Sequence, residues 1–382
     1  MNIKKFKYRN EWWNVNLNLG NIQNNSIKWI NINKLKNRCQ FCINNHLTTF
    51  LLHIYSTNIE MQKNFYTLIF IILLPVIVNS TTENETIKEK YCKKCLKHKG
   101  ERKLKCYNEC SDLNILSYLN ILSREETLNE IINNKKSITR FGDGEFSLIF
   151  NNKGIGFQKF DIEISKRLFD ILNSDKKDLI IAIPRTFKYY QNNDYWKNYI
   201  ENHKYNIIKS LDFNKVYGDA GITRFYWFQN NREEVINYIN KLKLVWDKKD
   251  IIIIEGEKTR FGINNDLLNN TKSIQRILCP SKNAYEVYDK IYNESLKISK
   301  EKLILIALGP TATILAYDLH NAGYQAIDIG HADISYEWFL RNATQKIKIE
   351  NKYVNEVKDG GKNIDDVTDK SYYDQILFKI LN

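Results

Sequence analysis

The chain has 382 residues, enough for one large domain or two smaller ones, and its 57 Lys and Arg against 44 Asp and Glu give a formal charge of +13. The surplus is uneven: residues 1–60 carry 8 basic and 2 acidic side chains, residues 61–110 carry 10 and 5, and the remainder holds 39 and 37. A nearly neutral body has no basic stripe of the kind a nucleic-acid footprint needs, which excludes nucleic acid as a partner.

Residues 1–60, rich in Asn, Lys and Ile and without a sustained period, read as an upstream extension with no fold of its own. Met61 is the only methionine besides Met1. Lys63, an apolar run from Phe65 to Val78 and the small residues after it describe a secretory signal peptide over residues 61–80. Pro75 interrupts the run, which is short for a membrane span. The alternative is an uncleaved type II anchor with the basic residues 1–60 on the cytosolic side, the chain's one route to a membrane. The expected location is the secretory pathway, with translation of the functional protein starting at Met61.

Residues 81–112 follow as a charged stalk or cap bearing Cys92-x-x-Cys95 and Cys106-x-x-x-Cys110. In a cytosolic protein this spacing suggests zinc. Behind a signal peptide, two disulfides closing a small helical hairpin are expected, with connectivity open. Cys279 stands alone at the end of an apolar run and is expected to be a buried free thiol. Asn-x-Ser/Thr acceptors at Asn79, Asn84, Asn269, Asn293 and Asn342 matter only to a chain that enters the secretory pathway.

The globular body spans residues 113–382. Ser123 and Glu126 form a capping box that opens a helix through about Asn133. Strands are predicted at Ser137–Phe141, Leu179–Ile183, Asp250–Ile254, Ile274–Leu278, Leu303–Leu308 and Gln325–Ile329. Several are unbroken apolar runs, as in strands covered on both faces. Helices are predicted at Ile162–Leu172, Arg232–Leu242, Ala284–Ser299 and Ala312–Ala322. This alternation implies an α/β, Rossmann-like fold: a mostly parallel sheet with helices on both faces, preceded by the small Cys-containing segment.

Four polar clusters fall at predicted strand ends, where open α/β sheets bind ligands, and a fifth follows Gly218-Asp219-Ala220. In Arg140-Phe141-Gly142-Asp143-Gly144-Glu145, Gly142 and Gly144 allow a sharp turn close to a ligand, and Asp143 and Glu145 offer hard oxygens to Mg²⁺ or Mn²⁺. In Gly309-Pro310-Thr311-Ala312-Thr313, a helix start with the Thr311 and Thr313 hydroxyls can hold a phosphate. Arg224, after Gly218-Asp219-Ala220, and Arg260, after Glu255-Gly256, can fork onto phosphate oxygens. His331, Asp333 and Glu337 are possible general bases, the last two sharing a face if a helix starts there. Taken singly, each cluster also matches a solvated acidic turn, an ordinary strand–helix junction or a surface ion pair; their common position favours a site.

The Arg140–Glu145, Glu255…Arg260-Phe261-Gly262, Leu308–Thr313 and Asp328–Trp338 blocks, with Arg276-Ile277-Leu278-Cys279-Pro280, resemble the bacterial glycosyltransferases of the GT-D fold, from about Leu122 to the C-terminus. The resemblance implies a Rossmann-like domain, a UDP-sugar donor, and a divalent metal held by an Asp-x-Glu motif that maps onto Asp143 and Glu145. A branch of that family adds glucose to a glycan on a bacterial surface adhesin, which makes glucose the first expectation and a glycan or glycoprotein the acceptor. The signal segment and cysteine pairs depart from the bacterial pattern and bear on the acceptor, not the fold.

The expected chemistry is metal-assisted glycosyl transfer. Arg140, Arg224 or Arg260 would share the diphosphate charge, with Gly142, Gly144 and Glu255 also lining the donor site. The Gly309–Thr313 turn would hold phosphate or ribose, and Asp333 or Glu337 would take the acceptor proton if the reaction inverts. The rivals are a metal-dependent phosphohydrolase on the same carboxylates and a non-catalytic nucleotide-sugar or glycan-binding module with Tyr226, Trp227 and Trp338 as stacking surfaces.

Overall fold

A computed structural model describes residues 2–8, 11–17, 115–151, 153–226, 231–361 and 364–381. The apolar run, the paired cysteines and Trp227 lie outside the described residues. The chain divides into two units, Met1–Ile87 and Lys88–Asn382. In the first, β1 (Asn2–Tyr8) and β2 (Glu11–Leu17) pair as an antiparallel hairpin. Among the described residues no helix is long and apolar enough to cross a membrane.

The second unit is built on nine strands: β3 (Asn120–Ile121), β4 (Ser137–Arg140), β5 (Leu179–Ile183), β6 (Val216–Asp219), β7 (Asp250–Gly256), β8 (Ser273–Cys279), β9 (Leu303–Ala307), β10 (Ala326–Asp328) and β11 (Ile376–Lys379). Their order is β11-β8-β7-β9-β10-β4-β5-β6-β3, and every neighbouring pair is parallel. The chain runs outward from β4 through β5 to β6, and β10 returns to β4's other side, so the strand ends around β4 border a crevice.

The central strands are buried along their length because helices cover both faces. In β7, Ile251, Ile252, Ile253 and Ile254 are all closed to solvent. Burying each such side chain contributes about 1.5–3 kcal/mol. Ile251, Ile253, Leu303, Leu305 and Ile138 point to the face packed by Leu128 and Ile131 of α1 (Arg124–Asn133), by Val235, Ile239 and Leu242 of α5 (Arg232–Lys243), and by Tyr336 and Phe339 of α8 (Ala332–Leu340). The opposite face belongs to α7 (Pro310–Asn321), whose Thr313 reaches Asp328. There α7 is joined to α3 (Ile162–Leu172) and α6 (Tyr288–Ser295) by Asp318, which accepts from Arg167 and Tyr288.

The predicted elements are present with small shifts. Leu179–Ile183 and Ile162–Leu172 match as read, and the Ser123–Glu126 box is formed in both directions. Helix α7 begins two residues earlier than predicted, since Pro310 suits a first helical position. Segment 284–299 splits into a 3₁₀ turn and the shorter α6. Strands β3, β6 and β11 and the helices α4 (Asp194–Ser210) and α9 (Lys370–Asp374) add to the sequence-based picture. Cys279 is a buried free thiol, as expected.

Candidate functional site

Helix α2 (Asp143–Phe150) starts directly after the interior strand β4, with Gly142 as its N-cap. Asp143 and Glu145 thus occupy its first turn, where the positive end of the helix dipole favours carboxylates. The Gly142 amide donates to Glu145 Oε2 at 2.7 Å. Two tyrosines of α4 hold the other carboxylate: the Tyr195 hydroxyl donates to Asp143 Oδ2, and Tyr199 donates to the Asp143 carbonyl at 3.1 Å. One oxygen of each carboxylate is left without a side-chain partner among the described residues. Burial lifts the Glu145 carboxyl to about 7, the Gly142 amide pulling against it and the Asp328 and Asp143 charges adding to it.

Such a pair suits Mg²⁺ or Mn²⁺, hard cations that take one or two carboxylates and complete their shell with water and substrate phosphates. Among the described residues no group of three or more His, Cys, Asp or Glu could hold an ion.

Arg140 closes β4 and spends its donors on the scaffold. Its guanidinium donates to Asp328 (Nη2–Oδ1 2.9 Å; Nε to the carbonyl, 2.7 Å), to the Ala220 carbonyl at 3.0 Å and to Thr223 Oγ1 at 2.7 Å. It therefore ties β4, β10 and the turn after β6 together beneath the crevice. Gly330 makes room for it: a Cβ there would lie 1.8 Å from Arg140 Nη2.

At the end of β9, Gly309 adopts φ 56° and a Cβ would meet the Phe157 ring at 2.5 Å. Thr311 and Thr313 are fully buried. Thr313 donates to the Arg140 carbonyl at 2.9 Å, and Thr311 lies 3.4 Å from Gln158 Oε1, so both hydroxyls serve internal contacts.

The loop after β7 is likewise anchored from within. Glu255 and Arg276 form an ion pair of 2.5 Å closed to solvent on both sides. Glu255 also accepts from the Phe261 amide at 2.7 Å, and Arg276 donates to the Phe261 carbonyl at 3.0 Å. Arg260 is buried, donates to the Asn351 carbonyl at 2.9 Å, and leaves its Nε unpartnered.

The three candidate bases divide. Asp333 accepts from the Gly262 amide at 2.9 Å, Asn265 at 2.8 Å and Lys352 at 2.7 Å. Glu337 accepts from Asn265 at 2.7 Å and from Arg341, and lies 2.8 Å from the same Lys352. Both carboxylates are closed to solvent. Burial by itself would raise the Glu337 carboxyl, but Lys352, Asn265 and Arg341 outweigh it and hold it below the usual range, which makes it a poor base.

His331, in contrast, stands at the N-cap of α8 with about three quarters of its side chain enclosed and Nε2 3.2 Å from Glu356 Oε1. Arg224 Nη1 approaches the same oxygen at 2.7 Å, and Lys346 pairs with Oε2. Burial first, then the Arg224, Arg140 and Lys346 charges, push His331 down to about 3 despite Glu356, so its imidazole is neutral at ordinary pH.

The structure thus brings Asp143, Glu145, Arg224 and His331 to the rim. It turns Arg140, Glu255, Thr311, Thr313, Asp333 and Glu337 to internal contacts. Sequence reasoning missed Tyr195, Tyr199, Lys346 and Glu356; none sits at a strand end or in a Gly-rich turn, and no local signal marks them.

A family model described as the glycosyltransferase GT-D fold matches residues 138–357. The chain is 35% identical over 267 residues to "Probable glycosyl transferase Gly" of Streptococcus gordonii, covering 68% of this chain and 38% of that protein. It is 32% identical to "Glycosyltransferase GlyD" of Streptococcus pneumoniae serotype 4, covering 70% and 33%. The chain therefore spans little more than a third of these curated relatives. Among solved structures, a domain of unknown function 1792 described as having a distinct glycosyltransferase fold is similar, with TM-score 0.67, 34% identity, and 71% and 99% of the two chains covered. A glycosyltransferase of Streptococcus sanguinis aligns with TM-score 0.64 and 33% identity over 69% and 99%.

Proposed function

The chain belongs to the GT-D fold glycosyltransferase family, and on that premise we propose that it moves a hexose, glucose first, from a UDP-sugar to a glycan or glycoprotein acceptor. The observation that carries this reading is the pair Asp143 and Glu145 on the first turn of α2, at the carboxyl end of β4, each with an oxygen to spare. Bound there, Mg²⁺ or Mn²⁺ would offset the negative charge of the diphosphate leaving group.

The chain's own residues divide the remaining work. Tyr195 and Tyr199 orient Asp143, and the Gly142 amide orients Glu145. Of the three arginines considered, Arg224 is the most exposed, so it is the side chain to meet a phosphate oxygen. Arg140 and the Glu255–Arg276 pair hold the strand ends at fixed spacing, which sets the position of donor against acceptor. Tyr195, 57% exposed beside Asp143, gives a sugar or base an aromatic surface. With Asp333 and Glu337 enclosed, α8 is better suited to hold the loop at Gly262 than to remove the acceptor proton.

The test is nucleotide release by the full chain from a panel of UDP- and GDP-sugars, with and without Mn²⁺. Mn²⁺-dependent UDP release from one donor is expected. Phosphate release from simple esters, with no nucleotide from any donor, would replace this reading with the phosphohydrolase.

A further inference from the structure

Glu356 sits where three donors converge. Arg224 Nη1 and His331 Nε2 lie 2.7 and 3.2 Å from its Oε1, and Lys346 contacts Oε2. Yet Oε1 is buried and makes no aligned hydrogen bond, so both neighbours stand at contact distance without donating along a good line. A carboxylate brings one charge and two oxygens in a plane. Arg224 and Lys346 bring two positive charges, and neutral His331 brings a possible N–H. A phosphate group, with up to two charges and three outward oxygens, matches that set in charge and in number of acceptors.

The segment carrying Glu356 is held from the other side. The Tyr353 amide donates to the Lys258 carbonyl at 2.8 Å, and Lys352 is anchored to Asp333 and Glu337. Ile349 and Val354 pack with Ile334 and Trp338 in a small apolar cluster of their own. The strap can thus stay attached while the one side chain at Glu356 swings away.

We propose that Arg224, His331 and Lys346 form a phosphate-binding pocket of the nucleoside diphosphate class, in which Glu356 is a resident counter-ion that the incoming anion displaces. This rests on the donor assigned above and adds His331 and Lys346 to Arg224 as residues that receive its phosphate. The cluster pre-pays for its burial with an internal anion, and the ligand must compete with that anion, so removing the Glu356 charge strengthens ligand binding rather than weakening it.

The experiment is calorimetric titration of the full chain with inorganic pyrophosphate in chelator, without metal or sugar. Glu356→Gln should bind about tenfold tighter than the parent, and Lys346→Met placed on top of it should lose most of that gain. Equal or weaker binding by a Glu356→Gln protein that unfolds at the parent's temperature overturns the proposal. If Glu356→Gln does not fold, Lys346→Met alone decides: about threefold weaker binding supports the pocket, and unchanged binding overturns it. Because no donor sugar or metal is present, these outcomes are independent of whether transfer is detected.

Discussion

Tyr195 of α4 donates its hydroxyl to the Asp143 carboxylate at the first position of α2, and Tyr199, one turn on, donates to the Asp143 carbonyl. One helix therefore fixes both the side chain and the backbone of a candidate metal ligand. Removing a partner that orients a ligand costs about tenfold or more in metal affinity. Tyr195→Phe is expected to weaken Mn²⁺ binding by that order, read by the free Mn²⁺ resonance signal, while the unfolding temperature stays near the parent's. Asp143→Asn should abolish metal-dependent transfer and leave the fold intact. Full activity in Asp143→Asn would remove the metal assignment.

The Glu255–Arg276 pair, closed to solvent on both sides, predicts an asymmetry. Taking away one partner strands a buried charge and costs about 3–5 kcal/mol. Arg276→Met should therefore lower the urea unfolding free energy by about that amount. Arg276→Met with Glu255→Leu should recover a large part, because no unpaired charge remains. A double variant less stable than Arg276→Met would show that the pair's hydrogen bonds to Phe261, not its charges, dominate.

Gly330 supplies a test of how the crevice is held. Its φ of +42° and the 1.8 Å that would separate a Cβ from Arg140 Nη2 leave no way to add a methyl group without moving the guanidinium. Gly330→Ala is expected to displace Arg140 from Asp328 and to destabilise the protein by about 2 kcal/mol or more. Donor affinity should fall with it, since Arg140 ties the end of β4, next to Asp143, to β10. Unchanged stability would mean that the Arg140–Asp328 contact is dispensable.

Most of the sheet was legible because its strands are buried on both faces and so read as apolar runs: Leu179–Ile183, Ile251–Ile254 and Leu303–Ala307. Strand β6 was not, because Val216-Tyr217-Gly218-Asp219 is short and holds a glycine; a Cβ at Gly218 would lie 2.4 Å from Ile180. Helix α4 was hidden by its Asn, Lys and Tyr content, which blurs the apolar period. Asp143 and Glu145 could be read because a glycine turn and its carboxylates are neighbours in sequence. Tyr195 reaches Asp143 across 52 positions, and Lys352 closes off Asp333 across 19, so neither contact leaves a trace in local pattern. Asp333 and Glu337 share a helix face as their spacing implies, but spacing alone does not reveal that Asn265 and Lys352 stand opposite.

His331 gives the site a pH signature. Its folded pKa is held near 3, below the ordinary 6.5, first by burial and then by the charges of Arg224, Arg140 and Lys346. Below 6.5 the unfolded chain takes up a proton that the folded one refuses, so this stabilisation is whole above 6.5 and is lost as pH falls toward 3. Glu356 is depressed to about 2 from 4.5: burial alone would raise it, but His331, Arg224 and Lys346 prevail. Its contribution is whole above 4.5 and fades only below that. Between pH 6.5 and 4.5 the pair's effect is therefore that of His331, worth about 2 kcal/mol over the two units. His320 shifts the same way, so the comparison must be differential. Urea unfolding at the two pH values should show a smaller loss for His331→Gln than for the parent, by about that amount. Parallel curves would mean that His331 takes up its proton in the folded state.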